Sequence, residues 1–419
     1  MRVFKFGGAS VKDAQAIRHV ATIIKSYSDE ELLVVVSAMG KTTNAIEKIL
    51  NLFVGSEPTY VDEIQSLKKF HFDILKDLYP SQDPSAFHQL EDLFLQFEWF
   101  FELGEKENYD FLYDQVVGFG EIFSTKIIST YLQSQQIKAK WLDARNFIIT
   151  NDTYREATVD FSVSEKVIGR KIPKILANEV VITQGFIGKN RSGHSTTLGR
   201  EGSDYSAAIY AWALHAKELT IWKDVPGILS ADPKKVEHPT LFKELSYRQT
   251  VEMSYYGASV LHPKTIQPLQ NRDIPLHVRS FVHPEQTGTK VTNESQENVD
   301  IPILISKENQ CLMHLSAKNF SFLVEENFSR IFKILAENRI KINLMRNSAM
   351  RFTLCCDYNE KKIQDICSEL DSDFLLEYST GHQLMTIRNA TESFIKPLIS
   401  TKKILVEQRI EQVVQVVMA

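Results

Sequence analysis

Lys5 and the pair Gly7 and Gly8 stand at the end of a short β-rich run, RVFKF, just before a helical pattern that begins at Ser10. A strand, a glycine turn and a helix start together make an anion site. The glycines let the backbone take φ > 0 and come close to a ligand, and the next N–H groups converge at the positive end of a helix. Lys5 adds a mobile positive charge beside that nest, and phosphate is its natural guest. The spacing is neither GxxxxGK[ST] nor GxGxxG, and a glycine pair after a strand is by itself commonly a tight turn and nothing more.

A second glycine-rich stretch, QGFIGKNRSGHSTTLGREGSDYSAAIYAWAL, also feeds a helix start, near Asp204. A carboxylate there suits fixing the floppy ammonium of Lys5. If the phosphate belongs to ATP, transfer needs cations, backbone donors and Mg²⁺ to hold the phosphates in line with the attacking oxygen, and little covalent help. With a small amino acid as acceptor, Glu121 suits its ammonium and Arg200 its carboxylate, in bidentate fashion, while Ser37 and Thr43 at one strand end suit the acceptor group. Taken singly, such charged residues are more often solvated surface groups. Their positions in glycine-flanked turns after strands make them better candidates than most.

The elements that must position these residues follow an α/β order. Val11, Ala14, Ile17, Val20, Ala21 and Ile24 form a helical stripe, and Leu32–Val36 is an apolar run suited to a parallel strand buried on both faces. SAMGKTTNAI then repeats the passage from strand through small residues to helix, and in open α/β sheets ligands gather at such strand ends. From Phe53 to Gln115 the alternation stops: Leu90, Leu93, Phe94, Phe97, Phe100 and Phe101 recur at helical spacing, which reads as the core of a helical insertion. Strands are expected at 140–142, 180–183, 218–222 and 274–278, helices at 246–256 and in VVGFGEIFSTKIISTYL, a loop or short hairpin over 150–165, and a linker at 292–299.

With 419 residues, two or three domains are expected, and 43% hydrophobic and 24% charged residues are the proportions of a globular protein. A net charge of −5 argues against a nucleic-acid surface, so any phosphate ligand is small. Lys5, Lys12 and Arg18 break up the apolar N-terminal residues, against a signal peptide, and no apolar run is long enough for a bilayer; a cytoplasmic protein with no membrane partner is expected. Cys311, Cys355, Cys356 and Cys367 lack CxxC spacing and read as buried thiols, with no metal site.

KFGGAS, SAMGKTTN, GFGE, TTLGREGSDYSA, WKDVPGILSADP and VLHPKT occur in the order in which the aspartate kinase family carries them, over about the first 290 residues, and the chain resembles that family. The resemblance implies an α/β protein: a three-layer αβα amino acid kinase fold with a mostly parallel sheet over 1–291, with the insertion at about 53–115. It implies a monofunctional kinase that phosphorylates L-aspartate with ATP and Mg²⁺ to give 4-phospho-L-aspartate and ADP, the first step of lysine, threonine and methionine biosynthesis. By the same resemblance Lys5 and Asp204 are catalytic. ATP is held by Lys5, Gly7, Gly8, Lys223, Asp224, Asp232 and Lys264, and aspartate by Ser37, Thr43, Glu121, Arg200 and Ser203. Another acid kinase of the same fold, acting on glutamate or acetylglutamate, and a catalytically weak amino-acid sensor are the alternatives.

Three residues depart from the family pattern. Glu201 replaces a glycine of LGRGGSD, Ser259 stands where many relatives have a lysine, with Lys223 or Lys264 to compensate, and Ala9 replaces Thr. The region 300–419 reads as βαββαβ followed by a helix and two strands, a ferredoxin-like order with an incomplete second copy. It resembles a pair of ACT domains, which implies regulation by an amino acid and a homodimer. LMRNSA stands where relatives often read LITTSE, and its Arg346 disfavours a cationic effector such as lysine. A homoserine dehydrogenase domain after VVQVVMA, as fused in some relatives, is not expected.

Overall fold

The computed structural model describes residues 1–80, 84–103, 108–258, 261–295, 301–319 and 321–419. Ser259 and residues 296–299 of the expected linker lie outside them. The chain forms two compact units: one of Met1–Ile228, Leu241–Val251 and Leu261–Gln296, the other of Leu229–Thr240, Glu252–Val260 and Glu297–Ala419.

The first unit is built on an eight-stranded sheet. Its strands lie in the order Ala139–Leu142, Val180–Gln184, Leu32–Val36, Arg2–Phe6, Leu219–Lys223, Leu276–Ser280, Thr289–Thr292 and Glu244–Ser246. Every neighbouring pair is parallel except Leu276–Ser280 with Thr289–Thr292. Leu32–Val36 is buried at all five positions, as a strand covered by helices on both faces must be. Side chains alternate across the first strand. Phe4 and Phe6 enter the apolar cluster formed with helix Ala14–Lys25, whereas Lys5 meets helix Gly202–Ala213, which packs against this strand.

Helices Tyr60–Leu78, Pro84–Leu103 and Tyr109–Val116 occupy the stretch where the alternation stops. Leu90, Phe94, Phe97 and Phe101 are buried in the main cluster, and Phe94 stacks on Phe123 of helix Phe119–Ser134 with centroids 4.1 Å apart. The aromatic stripe is therefore core, and truncating one such ring to alanine costs about 3–5 kcal/mol.

Two local expectations are corrected. The helical pattern does not begin at Ser10: a 3₁₀ turn spans Gly8–Val11, and the α-helix starts at Ala14, capped by Asp13, whose side chain accepts from Ala16 N at 2.8 Å. The loop expected over 150–165 holds to Asp160, where an isolated bridge joins Thr150 and Val159, but ends there: helix Phe161–Leu176 follows, capped by Asp160 and buried along Ser164, Ile168, Ile172 and Leu176. Gly169 and Pro173 interrupt the sequence signal without interrupting that four-residue spacing. A separate small sheet has its strands in the order Ile149–Thr150, Ile187–Asn190, Ser195–Thr197.

The second unit contains a wholly antiparallel six-stranded sheet, ordered Ile342–Asn347, Phe352–Asp357, Ile303–Ala317, Phe374–Arg388, Val413–Met418, Ile404–Ile410. The strand-like pieces expected from sequence at 303–305 and 311–315 form one 15-residue strand, Ile303–Ala317, and the strand expected at 383–388 is the end of another, Phe374–Arg388; the two pair along most of their length. One half of that ribbon continues into Phe352–Asp357 and packs under helices Glu325–Glu337 and Glu360–Leu370; the other half continues into Val413–Met418, under helix Glu392–Ile399. The later copy thus borrows Ile303–Lys307 for a strand. Strand Ile342–Asn347, which includes most of LMRNSA, does not stand out in the sequence because its last three residues are exposed. All four cysteines are free; three are buried and Cys367 is half-buried.

Candidate active site

The first strand and its neighbours Leu32–Val36 and Leu219–Lys223 end side by side, where the chain order departs in both directions from Arg2–Phe6. This is the switch point at which open α/β sheets bind ligands. Gly7 and Gly8 follow the first strand, but neither has positive φ; Gly7 is at φ −79°. Their need is for space. A Cβ on Gly8 would lie 2.6 Å from Ala38 O and 3.1 Å from Gly40 O, and Gly40 N donates to Gly8 O at 3.0 Å, so the turns after the first two strands touch. The positive φ falls instead on Gly40, at +52°. Because Asp13 caps the following helix, the turn presents its own amides and the Lys5 ammonium, without that helix's dipole.

Lys5 Nζ lies 2.6 Å from Asp204 Oδ1, with both residues buried. Burial alone would raise the Asp204 carboxyl, but the charges of Lys5 and Lys223 and the Lys5 hydrogen bond hold it below the usual carboxylate range. A Cβ on Gly7 would sit 3.6 Å from Lys5 Nζ, so the ammonium lies over the glycine turn. Lys223 ends the neighbouring strand, half-buried.

Glu121, in the first turn of helix Phe119–Ser134, is 3% exposed; its Oε1 accepts from Ala38 N at 3.2 Å, and its Oε2 is buried with no hydrogen-bond partner among the described residues. Burial pushes its carboxyl up to about 8, against the pull of the Ala38 amide and the Lys5 charge. Ser37 N donates to Phe6 O at 3.1 Å, and Thr43 is half-buried in the first turn of helix Thr42–Val54. Ser203 is buried behind Gly185, where a Cβ would come within 2.5 Å of the Ser203 Cβ. Arg200 is exposed in the turn before helix Gly202–Ala213.

Lys5, Asp204, Lys223, Glu121 and Ser37 are thus tied to one another through the first strand and the Ala38 turn. The other expected residues are not so joined. Asp224 and Lys264 are exposed, Lys264 in the first turn of helix Pro263–Gln270, and Asp232 belongs to the second unit, where its Oδ1 accepts from Lys234 N at 2.9 Å. Glu201 takes φ +55°, ψ 24°, the left-handed conformation that a glycine would adopt freely.

Two residues here escape sequence reasoning. His71 of the insertion is fully buried and pushed down to about 4 by burial, hence neutral; its Nδ1 donates to Leu67 O at 2.9 Å and its Nε2 lies 3.5 Å from Thr42 Oγ1, beside Thr43. Asp114 is fully buried and binds the segment that leads to Arg200. A lone charge on the buried face of an aromatic insertion was the available signal for Asp114.

A family model described as the amino acid kinase family matches residues 1–280. Lysine-sensitive aspartokinase 3 of Escherichia coli (strain K12) is 34% identical over 361 residues, 85% of this chain and 78% of that protein. A chloroplastic bifunctional aspartokinase/homoserine dehydrogenase 2 of Arabidopsis thaliana is 29% identical over 93% of this chain, which spans only 44% of that protein. Among solved structures, E. coli aspartokinase III in complex with aspartate and ADP (R-state) matches with a TM-score of 0.84 at 30% identity, over 100% of this chain and 96% of that one. The same enzyme with lysine and aspartate (T-state) matches with a TM-score of 0.82 at 30% identity, over 100% and 95%.

Proposed function

The chain belongs to the amino acid kinase family, and within it to the aspartokinases, and on that footing we propose how its own residues move the γ-phosphoryl group of ATP onto the side-chain carboxylate of L-aspartate. Lys5 lies along the phosphates and supplies positive charge where charge shifts during transfer, with the amides after Gly7 and Gly8 beside it. Asp204 holds the Lys5 ammonium in place, and Lys223, at the next strand end, adds a second cation on the nucleotide side. Asp224, Asp232 and Lys264 are further nucleotide contacts. Aspartate is held by its ammonium at Glu121 and its α-carboxylate at Arg200, with Ser37, Thr43 and Ser203 as hydroxyl partners. The attacking carboxylate oxygen needs no general base, so no side chain has to take a proton or form a covalent intermediate.

Glu121 is the observation that carries this reading. A carboxylate buried to 3% exposure, with one oxygen on an amide and the other without a protein partner, calls for a cationic hydrogen-bond donor from a ligand. An α-ammonium is such a group, and Lys5 charge reaches the same carboxyl. Mg²⁺ enters with ATP. Among the described residues no cluster of three His, Cys, Asp or Glu is placed for a metal ion, which suits an ion held mainly by phosphate oxygens and water.

The second unit carries the homodimer in this reading. Among the described residues its edge strands Ile342–Asn347 and Ile404–Ile410 pair along one side only, and Met345, Ile404 and Ile410 are exposed on them. We place the enzyme in the cytoplasm, where ATP is available and its free thiols stay reduced; among the described residues no helix is long and apolar enough to cross a membrane. The test is hydroxylamine trapping: with MgATP, the folded protein yields a hydroxamate from L-aspartate and none from glutamate or N-acetylglutamate. Absence of the aspartate hydroxamate sinks the reading.

A further inference from the structure

The Asp114 carboxylate lies at the crossing of three segments. It belongs to helix Tyr109–Val116 and is fully buried. Arg155 N donates to both its oxygens at 3.0 Å, Thr197 N donates to Oδ2 at 2.8 Å, and the Thr197 hydroxyl donates to Oδ1 at 2.7 Å. Ala157 N donates to Thr197 O at 2.9 Å, which lashes the 155–157 turn to the end of strand Ser195–Thr197. Three residues later the chain reaches Arg200. In between, Leu198 N donates to Phe186 O, and Gly199 at φ +79° leaves room for Arg155 O, 3.3 Å from where its Cβ would be.

Arg155 is itself held in a costly conformation, φ +68°. Two anchors hold it. Its amide points into Asp114, and its guanidinium lies 4.5 Å from the Tyr113 ring centroid and 5.7 Å from that of Tyr109, reaching Asp110 at 3.3 Å and Glu47 at 4.0 Å. Glu47 is on helix Thr42–Val54, whose first turn holds Thr43, and Asp114 precedes Glu121 by seven residues. One buried carboxylate therefore fixes backbone from both sides of the acceptor site.

We propose that Asp114 is a positioning residue for the acceptor: it clamps the 155–157 turn to Thr197 and so sets the path of the backbone that delivers Arg200 to the aspartate α-carboxylate. This rests on the reading of Arg200 as the carboxylate clamp. It also gives the site an acid limit. Burial raises the Asp114 carboxyl to about 6, with the Thr197 and Arg155 hydrogen bonds and the Arg155 charge restraining the rise. The charged and titratable groups facing it are Arg155, Tyr113 and Tyr154, with Asp110 and Glu47 beyond Arg155. At neutral pH the carboxylate accepts all four bonds. A proton on Oδ2 faces two N–H donors, so protonation loosens the clamp.

The test is the KM for L-aspartate from pH 5.5 to 8 in the full chain, for the parent, Asp114→Asn, Thr197→Val and Arg200→Ala. The asparagine NH₂ opposes the same N–H donors. Protonation of Glu121, whose carboxyl lies at about 8, raises KM in every variant as pH falls; beyond that common slope we expect a further steepening of the parent KM, its acid rise, as pH falls through about 6, with kcat little changed. Asp114→Asn should start roughly tenfold higher at pH 7.5 and lose that acid rise, as expected for uniform binding lost by misplacement. Thr197→Val, which removes the hydroxyl and keeps the N–H, should raise KM a few-fold and keep the acid rise. A normal KM in Asp114→Asn, or a raised KM with the parent's acid rise intact, overturns the proposal. If Asp114→Asn does not fold by circular dichroism, an unchanged KM in Thr197→Val overturns it. Arg200→Ala separates the two readings: an unchanged KM there refutes the clamp itself, while a raised KM beside a normal Asp114→Asn refutes only the positioning.

Discussion

Lys5 Nζ stands 2.6 Å from Asp204 Oδ1 although their residues are 199 positions apart in the chain, one on the central strand and the other in the first turn of the helix that packs on it. The pair joins the two glycine-rich stretches into one site. Removing one member leaves the other charge buried alone, which costs about 3–5 kcal/mol. Lys5→Ala is therefore expected to lower kcat roughly 100- to 1000-fold as a lost transition-state donor and also to lower Tm. Lys5→Met with Asp204→Leu should be inactive too, yet melt higher than either single variant. Near-normal turnover in Lys5→Ala would remove the lysine from the nucleotide site.

Glu121 predicts a proton count. Burial holds its carboxyl up to about 8 in the free protein, so at pH 7 it is mostly protonated. An ammonium ligand requires the carboxylate, so aspartate binding at pH 7 should release a proton. Calorimetry of aspartate binding in buffers of different ionisation enthalpy reads this directly; Glu121→Gln should abolish the release and weaken binding. The sign also fixes the stability of the unliganded chain: a carboxyl raised on folding adds stability below its unfolded value and loses it as pH rises through about 8.

The repeated passage from apolar strand to small-residue turn to helix made the sheet and the ligand edge legible, because the central strands are buried on both faces and their turns pass close to one another. Gly8 shows how far that goes: its spacing pointed to a turn at the ligand, but its reason is the carbonyl of Ala38 at 2.6 Å, a contact between segments 30 residues apart. Helix Phe161–Leu176 stayed hidden because Gly169 and Pro173 break propensity without breaking the buried stripe. Strand Ile303–Ala317 of the second unit was split in the sequence by the exposed Glu308 and Asn309, where Asn309 at φ +54° marks an irregularity in the ladder. Asp114 could not be placed from sequence since its partners, Arg155 and Thr197, come from distant segments.

Glu201 occupies a position where the backbone favours glycine, at φ +55°, and its Oε2 is buried without a hydrogen-bond partner among the described residues. A left-handed L-residue costs roughly 1–2 kcal/mol, and glycine gives back about 0.4–1 kcal/mol through the entropy of the unfolded chain. Glu201→Gly should then stabilise the protein and raise Tm by about 2 °C. With a carboxylate removed next to Arg200, the KM for aspartate should fall. A lower Tm in calorimetry would mean that the Glu201 side chain makes a stabilising contact.

Inhibition by L-lysine is expected to be weak. A lysine effector brings two ammonium groups that need acceptors. At LMRNSA the edge strand offers Arg346, exposed and cationic, and Ala349, which accepts nothing through its side chain. The Ser348 hydroxyl is already committed within its turn, donating to Arg351 O at 2.9 Å and accepting from Arg351 N at 3.2 Å. Like charge next to an ammonium disfavours its binding. An inhibitor must moreover bind the inactive state more tightly than the active one, so losing these contacts removes the coupling together with the affinity. Aspartate kinase activity titrated with L-lysine and L-threonine, alongside light scattering, measures this: a dimer whose activity is nearly unchanged by submillimolar lysine is the expected result. Strong inhibition in that range would show that lysine is held by other residues, and replacing Arg346 with threonine should then leave the inhibition constant unchanged.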